Sequence, residues 1–397
     1  MDLKGYASVY QKNLLEDVIP FWLQKSKDEK FGGYFTSLDQ KGNVFDTDKF
    51  IWLQCRQVWT FAMLYNKVEK RKEWLDFAIH GAEFLLKHGR DNQGDWYFSL
   101  NQKGDPLVMP YNIFSDCFAS MAFGQLYQAT SNPQYCEVAV NTFFNILKRQ
   151  DNPKGKYSKL KGDTRPLNNF ALPMILCNLV LEIENLLDSS LVDDIIQRGI
   201  HSVMDIFYQP EMGIILENVS PDGKFSNSYE GRITNPGHGL EAMWFIMDLA
   251  ERSKNEELVQ KAVDISLKIL NKAWDHKYGG IYYFLDVKGY PPQQLEWDQK
   301  LWWVHIEAII TVLKGYLHTG DQECLEWFEK IHTYTWSHFP DNIHGEWFGY
   351  LNRRGEILLP LKGGKWKGCF HVPRGLYQGW QTLEQIAKRE FQIIKHN

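Results

Sequence analysis

Gly279-Gly280-Ile281-Tyr282-Tyr283-Phe284, continuing through a polar turn to Lys288-Gly289, matters because the chain repeats it. Close copies run from Gly32-Gly33-Tyr34-Phe35 to Lys41-Gly42, from Gly94-Asp95-Trp96-Tyr97-Phe98 to Lys103-Gly104, and from Gly345-Glu346-Trp347-Phe348 to Arg354-Gly355. Weaker copies, Gly155-Lys156-Tyr157 to Lys161-Gly162 and Gly213-Ile214-Ile215-Leu216 to Asp222-Gly223, fill the gaps and make six, at intervals of about 60 residues. In each, β-prone residues flank a polar segment that ends on a Gly able to take positive φ, which predicts a short hairpin.

Between copies lie about 45 residues, room for two helices of roughly four to five turns. Apolar residues fall at three and four spacing over Phe50 to Lys67, Lys72 to His88, Ile113 to Tyr127, Tyr135 to Leu147, Leu240 to Leu249 and Leu258 to Trp274. Breaks fall at Asn132-Pro133 and at Asp188 to Ser190. Only one long helix precedes the first hairpin, Leu3 to about Gln24, and only one follows the last, Pro373 to about Ile394. Together these two supply a sixth pair. The expectation is an all-α (α/α)6 barrel of twelve helices with short β-hairpins between pairs, forming one catalytic domain over residues 1–397. An open solenoid is the alternative, and the split sixth pair argues against it.

Composition narrows the function. Hydrophobic residues are 44% and charged residues 23%, which excludes a disordered chain. The 15 Trp, 19 Tyr and 24 Phe suit a concave surface that holds carbohydrate, although large helical cores also bury many aromatics. With 44 Lys and Arg against 49 Asp and Glu, the net charge of −5 provides no field for nucleic acid or an anionic membrane. Cys55, Cys117, Cys136, Cys177, Cys324 and Cys369 show no C-x-x-C spacing and read as reduced, packed thiols. Met1 to Tyr6 lacks a signal-peptide pattern, and no window reaches the roughly 18 apolar residues of a membrane span, so a soluble, cytoplasmic enzyme is expected. A homodimer is compatible with the sequence, which carries no signal that fixes the oligomeric state.

In such a ring the first helix after each hairpin is equivalent, and all six should point their N-termini to one mouth. Five of those starts carry an acid, a base or a guanidinium: Arg56; Asp116; His238 with Glu241; Glu307; and His371 with Arg374. His238 and Glu241, three apart, share a helix face. His371 stands two residues before Pro373, the expected first helical residue. Positive helix ends would keep these histidines neutral and able to act as bases. His305 and Glu307 lie two apart and cannot both face the pocket, so Glu307 is expected inward beside Trp303, with His305 structural. No H-E-x-x-H or Cys/His pattern marks a metal, and no Gly-x-Gly-x-x-Gly marks a nicotinamide, so neither a metal nor a redox cofactor is expected.

Phe50 to Phe61, Asn235 to Trp244, Glu296 to Ala308 and Lys362 to Arg374 resemble, in order, the signature runs of the N-acylglucosamine 2-epimerase family, whose mammalian members are also called renin-binding proteins. The resemblance implies reversible interconversion of N-acetylglucosamine and N-acetylmannosamine, with catalytic roles for Arg56, His238, Glu307 and His371. It also implies stimulation by ATP that is not consumed. No Walker-type loop is present, and the basic loops Lys154 to Arg165 and Lys362 to Gly368 are the nucleotide candidates. The related cellobiose 2-epimerases and mannose isomerases resemble each other in carrying a further His on the third inner helix. Leu167 to Met174 has none here, which favours the amino-sugar branch.

Epimerising C2 of an open-chain aldose means removing the proton beside the C1 aldehyde and returning one to the opposite face. One base per face suffices, which fits His238 and His371. Arg56 would stabilise the enediolate, Glu307 would orient a histidine, and Glu241, Arg374, Trp303 and Asp116 would contact the N-acetylhexosamine. A glycoside hydrolase on the same barrel would instead need opposed carboxylates such as Asp116 and Glu241. A protein-binding role would not need the histidines at all.

Overall fold

The helix pairs follow from the apolar spacing and from the residues that cap it. The computed structural model of the chain describes residues 1–159, 161 and 164–396, and twelve helices run through these described residues. Helix α1 runs unbroken through Leu3–Lys12, Asn13–Val18 and Ile19–Lys25, with the Asp2 carboxylate accepting from Gly5 N–H at 2.9 Å at its start. Its middle piece is a π-turn. Pro20 has no N–H to give the preceding turn, and the wider turn absorbs the missing bond. The others are α2 Ile51–Lys67, α3 Lys72–His88, α4 Phe114–Thr130, α5 Pro133–Arg149, α6 Ala171–Ile183, α7 Ser189–His201, α8 Pro236–Ser253, α9 Glu256–Ala273, α10 Trp302–Thr319, α11 Gln322–His338 and α12 His371–His396. The last starts two residues earlier than Pro373 implied, so His371 is itself the first helical residue. Pro373 still fits, because a first-turn residue has no intrahelical acceptor for its N–H.

Burial separates two rings. Helices α2, α4, α8 and α10 are enclosed on nearly every side, as in α2, where every residue from Leu53 to Leu64 is buried. Helices α5, α7 and α9 bury one stripe and leave the opposite face to solvent. The inner helices pack in order, α2 on α4, α4 on α6, α6 on α8, α8 on α10 and α10 on α12. Between α12 and α2 the ring closes on side chains: Phe370 stacks edge-on to Trp59 at 5.1 Å, and Thr60 Oγ1 donates to Cys369 O at 2.8 Å. Helix α1 lies against α12, completing the sixth pair as the split repeat requires.

The hairpins are shorter than full ladders, and they do a second job. The segment before an inner helix pairs with the hairpin of the next copy: Lys49–Phe50 with Ser99–Leu100, Asn168–Asn169 with Asn218–Val219, Ile233–Thr234 with Leu285–Asp286, and Lys300–Leu301 with Tyr350–Leu351. The same link joins the end of the chain to its beginning, since Asp39 bridges Leu361 and Lys362 N–H donates to Leu38 O at 3.0 Å. Hairpin backbone then caps inner helices that lack a capping side chain: Ile51 N–H donates to Phe98 O at 3.0 Å and Trp302 N–H to Gly349 O at 3.2 Å. A buried Lys–Asp pair pins three of these junctions, Lys49 to Asp28 at 2.8 Å, Lys300 to Asp275 at 3.2 Å and Lys362 to Asp341 at 2.8 Å. In the third copy Gly155–Tyr157 forms a single 3₁₀ turn, and Gly162 lies outside the described residues.

Candidate active site

Glu307 is the hub of the mouth. It sits on α10, fully buried, and three donors from three directions converge on it. His371 Nδ1 donates to its Oε1 at 2.8 Å, Arg374 Nη2 donates to the same oxygen at 2.6 Å, and Trp244 Nε1 donates to Oε2 at 2.9 Å. Arg374 Nη2 also donates to Glu241 Oε1, so one guanidinium bridges the carboxylates of α8 and α10. With Nδ1–H given to a carboxylate, the His371 imidazole leaves Nε2 as its free, basic nitrogen. Burial first, then the charge of Arg56, holds His371 well below imidazole's ordinary pKa.

His238 is built the same way and tuned the other way. Asn235 caps α8, its Oδ1 accepting from His238 N–H at 3.3 Å, and fixes the ring at the helix mouth. Its Nδ1 lies 2.9 Å and 3.1 Å from the two oxygens of Glu217, so Nε2 is again the free nitrogen. Burial acts to lower its pKa, but the Glu217 carboxylate, helped by Glu241, outweighs this and holds it above the ordinary value. The two histidines, both expected neutral from their helix mouths, are thus shifted in opposite directions: the bonded carboxylate outweighs burial at His238, and burial with Arg56 prevails at His371. Among the described residues neither Nε2 has a protein partner. Trp303 lies close to both rings, 5.3 Å from His238 and 5.6 Å from His371 between centroids.

Arg56 completes the group without a carboxylate bonded to it. Its guanidinium lies among the rings of Trp52 at 4.4 Å, Phe118 at 4.0 Å and Phe370 at 4.7 Å. Burial pulls its pKa down to about 9, against the attraction of Glu241. The buried donors left without a partner here are Arg56 Nε, Trp52 Nε1, Trp302 Nε1, and Nε and Nη1 of Arg374. A site with spare donors calls for a ligand rich in acceptor oxygens.

Seven of the eight residues marked by the sequence converge here: Arg56, His238, Glu241, Trp303, Glu307, His371 and Arg374. Asp116 does not join them. Its Oδ1 is held by Arg149 Nη1 at 3.0 Å from outer helix α5, and burial raises its pKa to about 7. His305 is structural: Nδ1 donates to Leu301 O at 2.7 Å and Nε2 accepts from Ile281 N–H at 3.0 Å, which leaves no nitrogen for chemistry. The loop Lys362 to Gly368 is a poor nucleotide cradle, because Lys362 is spent on Asp341 and Lys367 on Glu346, both buried. Of the other loop, Leu160, Gly162 and Asp163 lie outside the described residues. Glu241, Glu307 and His371 bring potential metal-ligand atoms within 4.8 Å of one another, but the Arg374 guanidinium already bridges the two carboxylates. Glu217 was not marked by the sequence. A signal existed, since its place in the repeat is taken by Thr36, Phe98, Tyr283 and Gly349 elsewhere and only this copy carries an acid there.

A six-pair helical barrel with two carboxylate-held histidines and two guanidiniums at its mouth defines a class, the α/α-barrel acid–base enzymes. The model of the N-acylglucosamine 2-epimerase (GlcNAc 2-epimerase) family matches residues 33–372. The N-acylglucosamine 2-epimerase of Rattus norvegicus is 40% identical over 385 residues, covering 94% of this chain and 91% of its own; that of Homo sapiens is 38% identical over 383 residues, covering 94% and 90%. The cellobiose 2-epimerase of Bacillus thermoamylovorans B4167 superposes with a TM-score of 0.82 at 19% identity, over 95% of this chain and 99% of its own, and so shares the fold. The chain belongs to the N-acylglucosamine 2-epimerase family and is a sugar 2-epimerase, an isomerase on an (α/α)6 barrel.

Proposed function

We propose that the enzyme interconverts N-acetylglucosamine and N-acetylmannosamine by a two-base reaction at C2 of the open-chain sugar. The observation that carries this is the matched pair: His238 and His371, each held at Nδ1 by a glutamate, each with Nε2 free, both close to Trp303. In one direction neutral His371 takes the C2 proton while the C2–H electron pair moves into the C1–C2 bond and the carbonyl π pair onto O1. The resulting imidazolium is stabilised by Glu307. Arg56, free of any bonded carboxylate, meets the charge developing on O1. His238, whose imidazolium form Glu217 favours, returns a proton to the opposite face as the carbonyl re-forms. In the reverse direction the roles exchange.

Trp303 stacks on the sugar, and the spare donors of Arg374, Trp52 and Trp302 meet its hydroxyl and acetamido oxygens. The same reading makes ATP a non-consumed activator and places the enzyme in the cytoplasm as a homodimer. Six free thiols and the absence of any helix long and apolar enough to cross a membrane, among the described residues, accord with that compartment. Incubating the enzyme with N-acetylmannosamine in heavy water tests the reaction: deuterium should appear at C2 of both epimers. Retention of the C2 proton, or conversion of mannose to fructose in preference, would overturn it. Repeating the assay with and without ATP tests the activator.

A further inference from the structure

The repeat provides an internal control that isolates one residue. The backbone bridges Lys27 to Tyr34, Trp274 to Ile281 and Pro340 to Trp347 make Gly33, Gly280 and Glu346 equivalent. All three take positive φ, +69°, +74° and +57°, and only Glu346 carries a side chain there. A non-glycine residue in that region costs on the order of 1 kcal/mol or more and persists only where its surroundings demand it. The surroundings are specific. Glu346 is fully buried; its Oε1 accepts from Lys367 Nζ at 2.8 Å and from Trp347 N–H at 2.8 Å, and its Oε2 accepts from Trp22 Nε1.

In the two glycine copies the acceptor for that N–H comes from the inner helix: Gln54 Oε1 for Tyr34 at 2.8 Å and His305 Nε2 for Ile281 at 3.0 Å. Lys49 and Lys300, the buried lysines of those copies, stand two residues before their inner helices, and Gln54 and His305 follow five residues after them. Lys362, the equivalent lysine, stands nine residues before His371, and the residue five places after it is Lys367. The last copy therefore carries a longer segment between its pinned lysine and its inner helix, and Lys367 fills the slot of Gln54 and His305. That segment ends in Phe370, one wall around Arg56, and leads directly into His371.

We propose that the buried Glu346–Lys367 pair is a positioning device for the reaction, anchoring the Lys362–Phe370 segment so that Phe370 and His371 meet Arg56 and Glu307. Glu346 and Lys367 touch no reacting atom. Their effect travels through the segment they hold. The proposal rests on His371 acting at C2, so wild-type solvent exchange measured alongside separates failure of that reading from failure of this one.

The test is the double variant E346G/K367M, which restores the glycine that stands at Gly33 and Gly280 and leaves no orphaned buried charge. It should stay folded by circular dichroism, keep KM for N-acetylmannosamine within about threefold, and lose about 10–100-fold in kcat, the scale of an ångström-sized misplacement. K367R, which keeps a cation facing Glu346, should recover most of that loss. A folded double variant with wild-type kcat would overturn the proposal. So would a loss confined to KM, or a double variant that cannot fold, because the pair would then support the barrel and not the aim of the histidine.

Discussion

Arg56→Met should make the enzyme more stable and nearly inactive. The guanidinium is buried with no bonded counter-charge, and the fall of its pKa from 12.5 to about 9 corresponds to about 5 kcal/mol by which burial disfavours the charge. The sign follows from linkage: a cation whose folded pKa is depressed destabilises the fold fully at pH values below about 9, and less as pH rises toward 12.5. Against this, the rings of Trp52, Phe118 and Phe370 return about 1 kcal/mol each. The remainder, about 1–3 kcal/mol, is the gain expected at neutral pH for a methionine, which fills the same aromatic slot without charge. Catalysis should move the other way. If Arg56 meets the enediolate oxygen, losing it should lower kcat by about 10²–10³. Thermal denaturation and epimerisation followed by NMR measure the two effects on one preparation. A variant that keeps kcat within tenfold, or that melts well below the wild type, would rule out this double role for Arg56.

Glu217→Gln should lower kcat and move its alkaline limb to lower pH in the direction that needs His238 protonated, because Glu217 raises that pKa and the stabilisation it adds is full below imidazole's ordinary value and lost above the raised one; pH–rate profiles in both directions check this. His305→Leu strands Leu301 O and Ile281 N–H in the core and should cost about 2–5 kcal/mol in denaturant unfolding, with kcat of the folded fraction little changed. Asp116→Asn should leave thermal stability at pH 7 unchanged or raised, because burial outweighs the Arg149 attraction and Arg149 keeps Asp95, and should leave turnover within a few-fold, whereas a substrate contact at Asp116 would show as a large rise in KM.

The twelve-helix ring was legible because its signal is redundant: six glycine-aromatic copies, helical spacing between them, and single helices at the two ends that can only complete each other. The inner-helix register then picked out Arg56, His238, Glu241, Glu307, His371 and Arg374. Two kinds of information lay beyond it. Side-chain direction was one: Asp116 stands at an inner-helix start but turns to Arg149 on α5, a choice set by packing between rings. Hairpin side chains were the other. Glu217 reaches the site, and Glu346 the segment that leads into His371, from stretches that pattern reasoning reads as turns, and what marks both is departure from their own repeat. The opposed tuning of the two histidines follows from Glu217 and could not be read without it.

The proposed reaction needs His238 and His371 on opposite faces of C2. It is tested by His238→Asn and His371→Asn, each incubated in heavy water with N-acetylglucosamine and, separately, with N-acetylmannosamine. Each variant should fail to interconvert the epimers. Each should still exchange the C2 proton of one epimer, and the exchanging epimer should differ between the two variants. Exchange of the same epimer by both, or of both epimers by either, would contradict the two-base account.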